Sequence, residues 1–313
     1  MTPEVRKAAE ILRAGGLVAF PTETVYGLGA DASNAQAVAR LYAVKRRPAG
    51  HPVIVHFGSA QVAFAWARDI PAAATALAER FWPGPLTLIL KRSAAAKDFV
   101  TGGQDSVGLR VPSHPVCREL LGEFRGGIAA PSANRFGSVS PTTATHVRED
   151  LGSDVDLVLE GGESKVGIES TIVDLSGSAP VLLRPGHISK AQLENILKQD
   201  LLEKSPASPR HPGGLERHYA PRTPARLVPA HALDREIARL GARLAVLAFS
   251  RPDERVDYWL RMPRNAEACA QGLYAALREL DAAGCELILV EAPPDVPEWA
   301  AVRDRLRRAC AEG

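Results

Sequence analysis

Cysteine, aromatic side chains and any excess of one charge are what this sequence has least of. Its four cysteines, Cys117, Cys269, Cys285 and Cys310, lie far apart and form no C-x-x-C pair, which excludes a disulfide scaffold and a metal site of ordinary ligand spacing. They read as reduced thiols of a cytoplasmic protein. Lysine and arginine number 38 against 36 aspartates and glutamates, a formal net charge of +2, far from the basic excess of a dedicated nucleic-acid binder. Anion recognition must therefore be local. No apolar run approaches the roughly 18 residues of a membrane span, and MTPEVRKAAEILRAGG lacks the continuous apolar stretch of a signal peptide. The expectation is a soluble, unsecreted chain with no membrane contact. Also missing are G-x-x-x-x-G-K-[ST], G-x-G-x-x-G opening a helix, G-x-S-x-G and H-E-x-x-H, so a nucleotide, if used, is held without a P-loop.

What is there is ordinary globular composition, 46% hydrophobic and 24% charged, over 313 residues. That length exceeds what one core usually serves and implies two domains. Thr2 and Pro3 make an N-cap and first-turn pair before the stripe Val5, Ala8, Ala9, Leu12, and Gly15 and Gly16 stop that helix. The periodicity predicts strands at 17–20, 53–57, 86–90, 107–111, 156–160, 170–175 and 181–184, with helices near 33–46, 59–68, 71–82, 114–122, 141–150 and 189–199. Such a mixture is an open α/β sheet covered by helices, with some antiparallel pairing. Residues 205–224, SPASPRHPGGLERHYAPRTP, are too rich in proline and glycine for a helix or central strand and form a linker. It separates a domain at 1–204 from a small one at 225–313, where strand, helix, strand, helix follow within a short span and suggest a parallel sheet. All eight lysines precede residue 205.

Several stretches carry chemistry. KRRPAGHPVIVH places Lys45 and Arg47 at a helix C-terminal end before a turn at Pro48 and Gly50, where two cations can meet one anion or stay solvated beside the helix dipole. FPTETVYGLG offers Thr22, Glu23, Thr24 and Tyr26 directly after a strand, with Gly27 and Gly29 allowing close backbone approach to a small ligand or serving only a turn. PSANRFGSVSPTTA offers Ser132, Asn134, Ser138 and Ser140 before a helix start, with Ser140 a candidate N-cap. In GIESTIVDL the alternation sends Ser170, Ile172 and Asp174 to one face and Thr171, Val173 and Leu175 to the other.

Taken in order, PTETVYGLG, KRRPAGHPVIVH, FWPGPLTLIL, GLRVPSHP, PSANRFGSVSPTTA, GIESTIVDL and LRPG resemble the YrdC-like family of L-threonylcarbamoyladenylate synthases over about residues 8–200. The HYAP of the linker and the tail resemble the long form, with a small Rossmann-like C-terminal domain behind the open twisted mixed sheet of the first. The resemblance implies condensation of L-threonine, bicarbonate or CO2, and ATP accompanied by Mg2+ into threonylcarbamoyl-AMP and pyrophosphate. A separate transferase then carries the group to position 37 of tRNA. It further implies that Lys45 and Arg47 form the catalytic K-x-R pair on the ATP phosphates, and that Ser132, Asn134, Ser140 and Arg184 contact the nucleotide. Threonine would be held by Thr24, His56 and Arg110 with Thr22 beside them, and by Ser170 or Thr171. No protein ligand to the metal is implied. Members often carry S-P-G-M-[KR]-Y-R-H-Y-A-P in the linker, whereas this chain reads HPGGLERHYAP, with Gly214, Leu215 and Glu216 in place of Met, Lys/Arg and Tyr. Arg217, His218 and Tyr219 remain as candidate lid residues, and Arg46 reads as a surface residue. The competing class is an RNA-binding or ribosome-associated protein of the same fold. The modest charge and the lack of interleaved aromatics reduce this to a weak RNA contact.

Overall fold

A computed structural model describes residues 2–241 and 243–311. The strand segment LVAF is apolar at every position because both its faces are covered: Leu17 and Ala19 enter one core, Val18 and Phe20 the other. Ten strands of the described residues form one mixed sheet. They are β1 (Val18–Phe20), β2 (Gly27–Asp31), β3 (Ile54–His56), β4 (Leu86–Lys91), β5 (Ser106–Arg110), β6 (Ile128–Ala129), β7 (Leu157–Val158), β8 (Thr171–Asp174), β9 (Val181–Arg184) and β10 (Leu202–Glu203), in the order β10-β9-β8-β4-β5-β3-β6-β2-β1-β7. On one face pack the helices Pro3–Arg13, through Val5, Ala8, Ala9 and Leu12, and Pro115–Phe124, through Cys117, Leu120 and Leu121. The other face takes Val38 and Leu41 of helix Ala35–Lys45, Leu77 of helix Ala72–Phe81 and Val147 of helix Ala144–Leu151.

A second sheet contains β11 (Ala225–Val228), β12 (Leu244–Ala248), β13 (Tyr258–Arg261) and β14 (Leu287–Glu291), all parallel, in the order β11-β14-β12-β13. Its core joins Val228, Val246, Ala248 and Leu289 to Leu233 and Ile237 of helix Leu233–Leu240. The chain contacts divide into two compact units, one running to Phe136 and including Pro141–Gly214, the other holding Gly137–Ser140 and everything from Leu215 onward. The mixed sheet and the small parallel sheet are the expected fold class. No helix among the described residues is long and apolar enough to cross a membrane.

Local expectations needed correction. GLGAD is a strand, not part of a turn, and the space above its glycines is filled by protein: a Cβ on Gly29 would meet the Phe20 ring at 2.7 Å and Ile128 at 2.9 Å. Those glycines serve packing between β1 and β2, not close approach to a ligand. Helix Ala144–Leu151 starts later than expected because Thr143, not Ser140, is its N-cap, accepting from His146 N at 3.2 Å. The helix near 59–68 shortens to Ala60–Phe64, and β11, β13 and helix Leu233–Leu240 add to the simple strand-helix alternation read for the small domain.

Candidate active site

The polar residues that matter lie in a row across the centre of the large sheet. In register, His56 of β3 pairs with Arg110 of β5, Arg110 with Thr87 of β4, Thr87 with Ile172 of β8, and Ile172 with Arg184 of β9. Alternation explains the row: Val55, Leu109, Leu88 and Val173 turn into the larger core, so their neighbours turn to the opposite face. Arg184 reaches that face through an irregularity. A register shift between Ile172 and Val173 sets Leu182 opposite Val173 but Arg184 opposite Ile172, and such a shift re-aims a side chain.

At one end of the row Arg184 donates from Nε to Ser170 O at 3.0 Å, from Nη2 to Ser170 Oγ at 3.2 Å, and from Nη1 to Pro212 O at 3.0 Å. Ser170 Oγ also meets Thr87 Oγ1 at 2.8 Å. Of the two adjacent hydroxyls, Ser170 therefore joins the row. Thr171 points away, donating to Ile188 O at 2.8 Å and accepting from Ile188 N at 3.1 Å.

At the other end the loop between β1 and β2 closes over Arg110. Glu23 pairs with it at 2.7 Å, with side chains 8% and 5% exposed, and its second oxygen accepts from Ser113 N at 3.1 Å. Thr22 Oγ1 donates to Val25 O at 2.6 Å, which uses its one proton; the 2.8 Å contact with Thr24 is then donated by Thr24, whose lone pairs are left as acceptors. Buried Arg110 Nε and His56 Nδ1 have no hydrogen-bond partner. Burial, reinforced by the Arg110 charge, pushes the His56 pKa down to about 3, so the imidazole is neutral.

Lys45 ends helix Ala35–Lys45 and is buried, its ammonium donating to the carbonyls of Ser132 and Asn134. Burial first, and the Arg47 charge second, hold its pKa well below the lysine range. Arg46 caps the helix in the left-handed region at φ 54 and is exposed, which lets Arg47 turn back to donate to Pro52 O at 2.7 Å, its guanidinium 5.4 Å from the Phe136 ring centre. The loop carrying half-buried Ser132 and buried Asn134 is tied to the β2 entry by Leu28 N to Pro131 O and Ala133 N to Tyr26 O, both 2.8 Å. Hydrogen bonds thus link Lys45 to that loop, the loop to the start of β2, and, through Glu23, the turn between β1 and β2 to the row on the sheet. Residues 208–214 also dock on this unit, where Arg210 N donates to Gln104 Oε1 at 2.7 Å and its Nη2 to Gly102 O at 2.8 Å, with His211 buried behind.

Residues 10–186 match the model of the Sua5/YciO/YrdC family, described as telomere recombination, and residues 188–311 match that of the threonylcarbamoyl-AMP synthase C-terminal domain. The chain belongs to the threonylcarbamoyl-AMP synthase family. Relatives of that name include those of Pyrococcus abyssi, 39% identical over 98% of this chain and 94% of the relative, and of Bacillus subtilis, 38% identical over 98% and 93%. The crystal structure of Pyrococcus abyssi Sua5 complexed with L-threonine is 38% identical and superposes with a TM-score of 0.92, covering 98% of this chain and 94% of that one. This chain is accordingly an enzyme, a threonylcarbamoyl-AMP synthase of the nucleotidyltransferase type.

Of the candidate residues of this synthase, Thr22, Thr24, Lys45, Arg47, His56, Arg110, Ser132, Asn134, Ser170 and Arg184 come together in the first unit, with Thr171 beneath the row. Ser140, Arg217, His218 and Tyr219 belong to the second unit. There Arg217 is exposed, while His218 N donates to Arg308 O at 3.2 Å and the buried Tyr219 ring has Arg305 5.5 Å from its centre. Sequence reasoning named Glu23 beside a possible ligand pocket without giving it a role, and passed over Thr87. A single carboxylate in FPTETV and a single hydroxyl in LTLIL, each among apolar residues bound for burial, were the available signals, since buried polar groups need partners.

Proposed function

We propose that the enzyme condenses L-threonine, bicarbonate or CO2, and ATP at this site. The threonine ammonium gives up a proton to solvent, and the amine bonds to the carbon of CO2 with release of a second proton, or to that of bicarbonate with loss of water; the new carboxylate oxygen of N-carboxythreonine then attacks the α-phosphorus as the bond to pyrophosphate breaks. Mg2+ enters with the triphosphate, held by phosphate oxygens and water. Arg110 takes the threonine α-carboxylate. Neutral His56 offers Nδ1 to the amino acid without adding charge, and Thr24 accepts a hydrogen bond from it. Ser170 lines the same pocket through its place in the row, Thr171 bracing it from beneath. Lys45 and Arg47 neutralise charge on the phosphates, and Ser132, Asn134 and Arg184 contact the nucleotide. The chemistry needs no side-chain nucleophile: positioning and charge neutralisation carry it.

The observation that supports this most is the pair of unmet groups, Arg110 Nε and His56 Nδ1, buried opposite one another in the sheet. An unmet buried polar group costs about 1–3 kcal/mol, and a bound carboxylate with its neighbouring polar groups would satisfy both. The product passes to a transferase acting on tRNA, and the compartment is the cytoplasm. Incubation with ATP, Mg2+, L-threonine and 13C-bicarbonate should give an adenylate carrying one 13C and one threonine by mass spectrometry. An adenylate without the label, or none, would count against this reaction.

A further inference from the structure

We propose that Glu23 is a positioning residue, which grips the Arg110 guanidinium at one nitrogen so that Nε is presented to the α-carboxylate of the amino-acid substrate. The inference rests on the assignment of Arg110 to that carboxylate. Glu23 is held at three points: Oε1 by Arg110 Nη2 at 2.7 Å, Oε2 by Ser113 N at 3.1 Å, and its own carbonyl by Val166 N at 2.7 Å. A carboxylate so fixed fixes the guanidinium plane in turn. The grip uses Nη2 and leaves the Nε donor buried and unmet. His56, the register partner of Arg110, leaves Nδ1 unmet as well. The Arg110 Nε donor marks a place for a ligand oxygen, and His56 Nδ1 a place for a second polar group of the same ligand.

The pairing has a consequence for recognition. Glu23 already balances the Arg110 charge, so an arriving carboxylate meets a correctly aimed donor and no large net attraction. A bare arginine there would draw in any small anion, phosphate and pyrophosphate included. A gripped one selects by geometry, which favours an α-carboxylate whose ammonium and hydroxyl find His56 and Thr24 at the same time. Removing the Glu23 charge should therefore loosen threonine binding, whereas a purely coulombic view predicts that it tightens.

The test is a double-mutant cycle of Glu23→Gln and Arg110→Ala, with Glu23→Asp as the conservative variant, reading KM for threonine and for ATP, kcat and the thermal midpoint. We expect Glu23→Gln to raise the threonine KM roughly tenfold or more, the range for a misplaced hydrogen bond to charge. The ATP KM should stay unchanged, Glu23→Asp should recover part of the loss, and Glu23→Gln should add nothing in the Arg110→Ala background. An unchanged or lowered threonine KM in Glu23→Gln, or equal rises for both substrates, overturns the proposal. If Arg110→Ala itself leaves the threonine KM unaltered, the assignment of Arg110 fails first. A large Arg110→Ala effect with none from Glu23→Gln removes only the role of Glu23. Should Glu23→Gln not fold, calorimetric threonine binding to Glu23→Asp decides, a wild-type affinity counting against the grip.

Discussion

His56 shows what burying a titratable group in the candidate site does to stability. It is 3% exposed, and burial with the Arg110 charge pushes its pKa down to about 3. In the unfolded chain a histidine takes up its proton near pH 6.5. Between about pH 6.5 and pH 3 the unfolded state therefore binds a proton that the folded state refuses, and stability falls as the pH is lowered through that window. Burial lowers the His114 pKa also, which adds to the same trend. We predict that His56→Asn, which cannot titrate, loses about 2 kcal/mol less stability than the wild type between pH 7 and pH 4.5, measured as urea midpoints at matched m values. Equal acid losses in the two proteins would contradict the buried neutral imidazole. The same shift means that turnover should carry no limb near pH 6.5 from this residue.

Helix Ala35–Lys45 is the element that delivers the cations. Asn34 caps its start by accepting from Gln36 N and Ala37 N at 3.0 and 3.1 Å, and Arg46 ends it in the left-handed region. A non-glycine residue there is strained, and Arg46 points to solvent, so Arg46→Gly should raise stability by up to about 1 kcal/mol and leave pyrophosphate release unchanged. A large loss of activity would instead give Arg46 a part in phosphate binding. Much at this scale was legible. The stripe Ala37, Val38, Leu41 located the helix and put Lys45 and Arg47 at its end, and the apolar runs around His56 and Arg110 located β3 and β5. What could not be read is set by pairing across the chain. That GLGAD is a strand depends on the Phe20 ring lying over Gly29, and the face of Arg184 depends on a register shift that no local pattern encodes. Glu23 needed its cation 87 residues away in sequence before its carboxylate had a meaning.

At the scale of the molecule, the site is assembled by one unit from residues spread between Thr22 and Pro212, while the linker is shared out, its first part docked on the large sheet and His218 and Tyr219 packed within the second unit. The large sheet sets His56, Arg110, Thr87 and Arg184 at fixed spacing, and the end of helix Ala35–Lys45 brings Lys45 and Arg47 to the same unit. The central claim is that Lys45 and Arg47 hold the phosphates while threonine and bicarbonate build the nucleophile. It is tested most directly by pyrophosphate release from MgATP with each co-substrate omitted in turn, in the wild type and in the Lys45→Ala, Arg47→Ala double variant. The account predicts release that needs both threonine and bicarbonate and falls by roughly 10²-fold or more in the folded double variant, as expected for losing two charge-assisted contacts. Release that persists without threonine or bicarbonate, or that survives in the double variant, would contradict it.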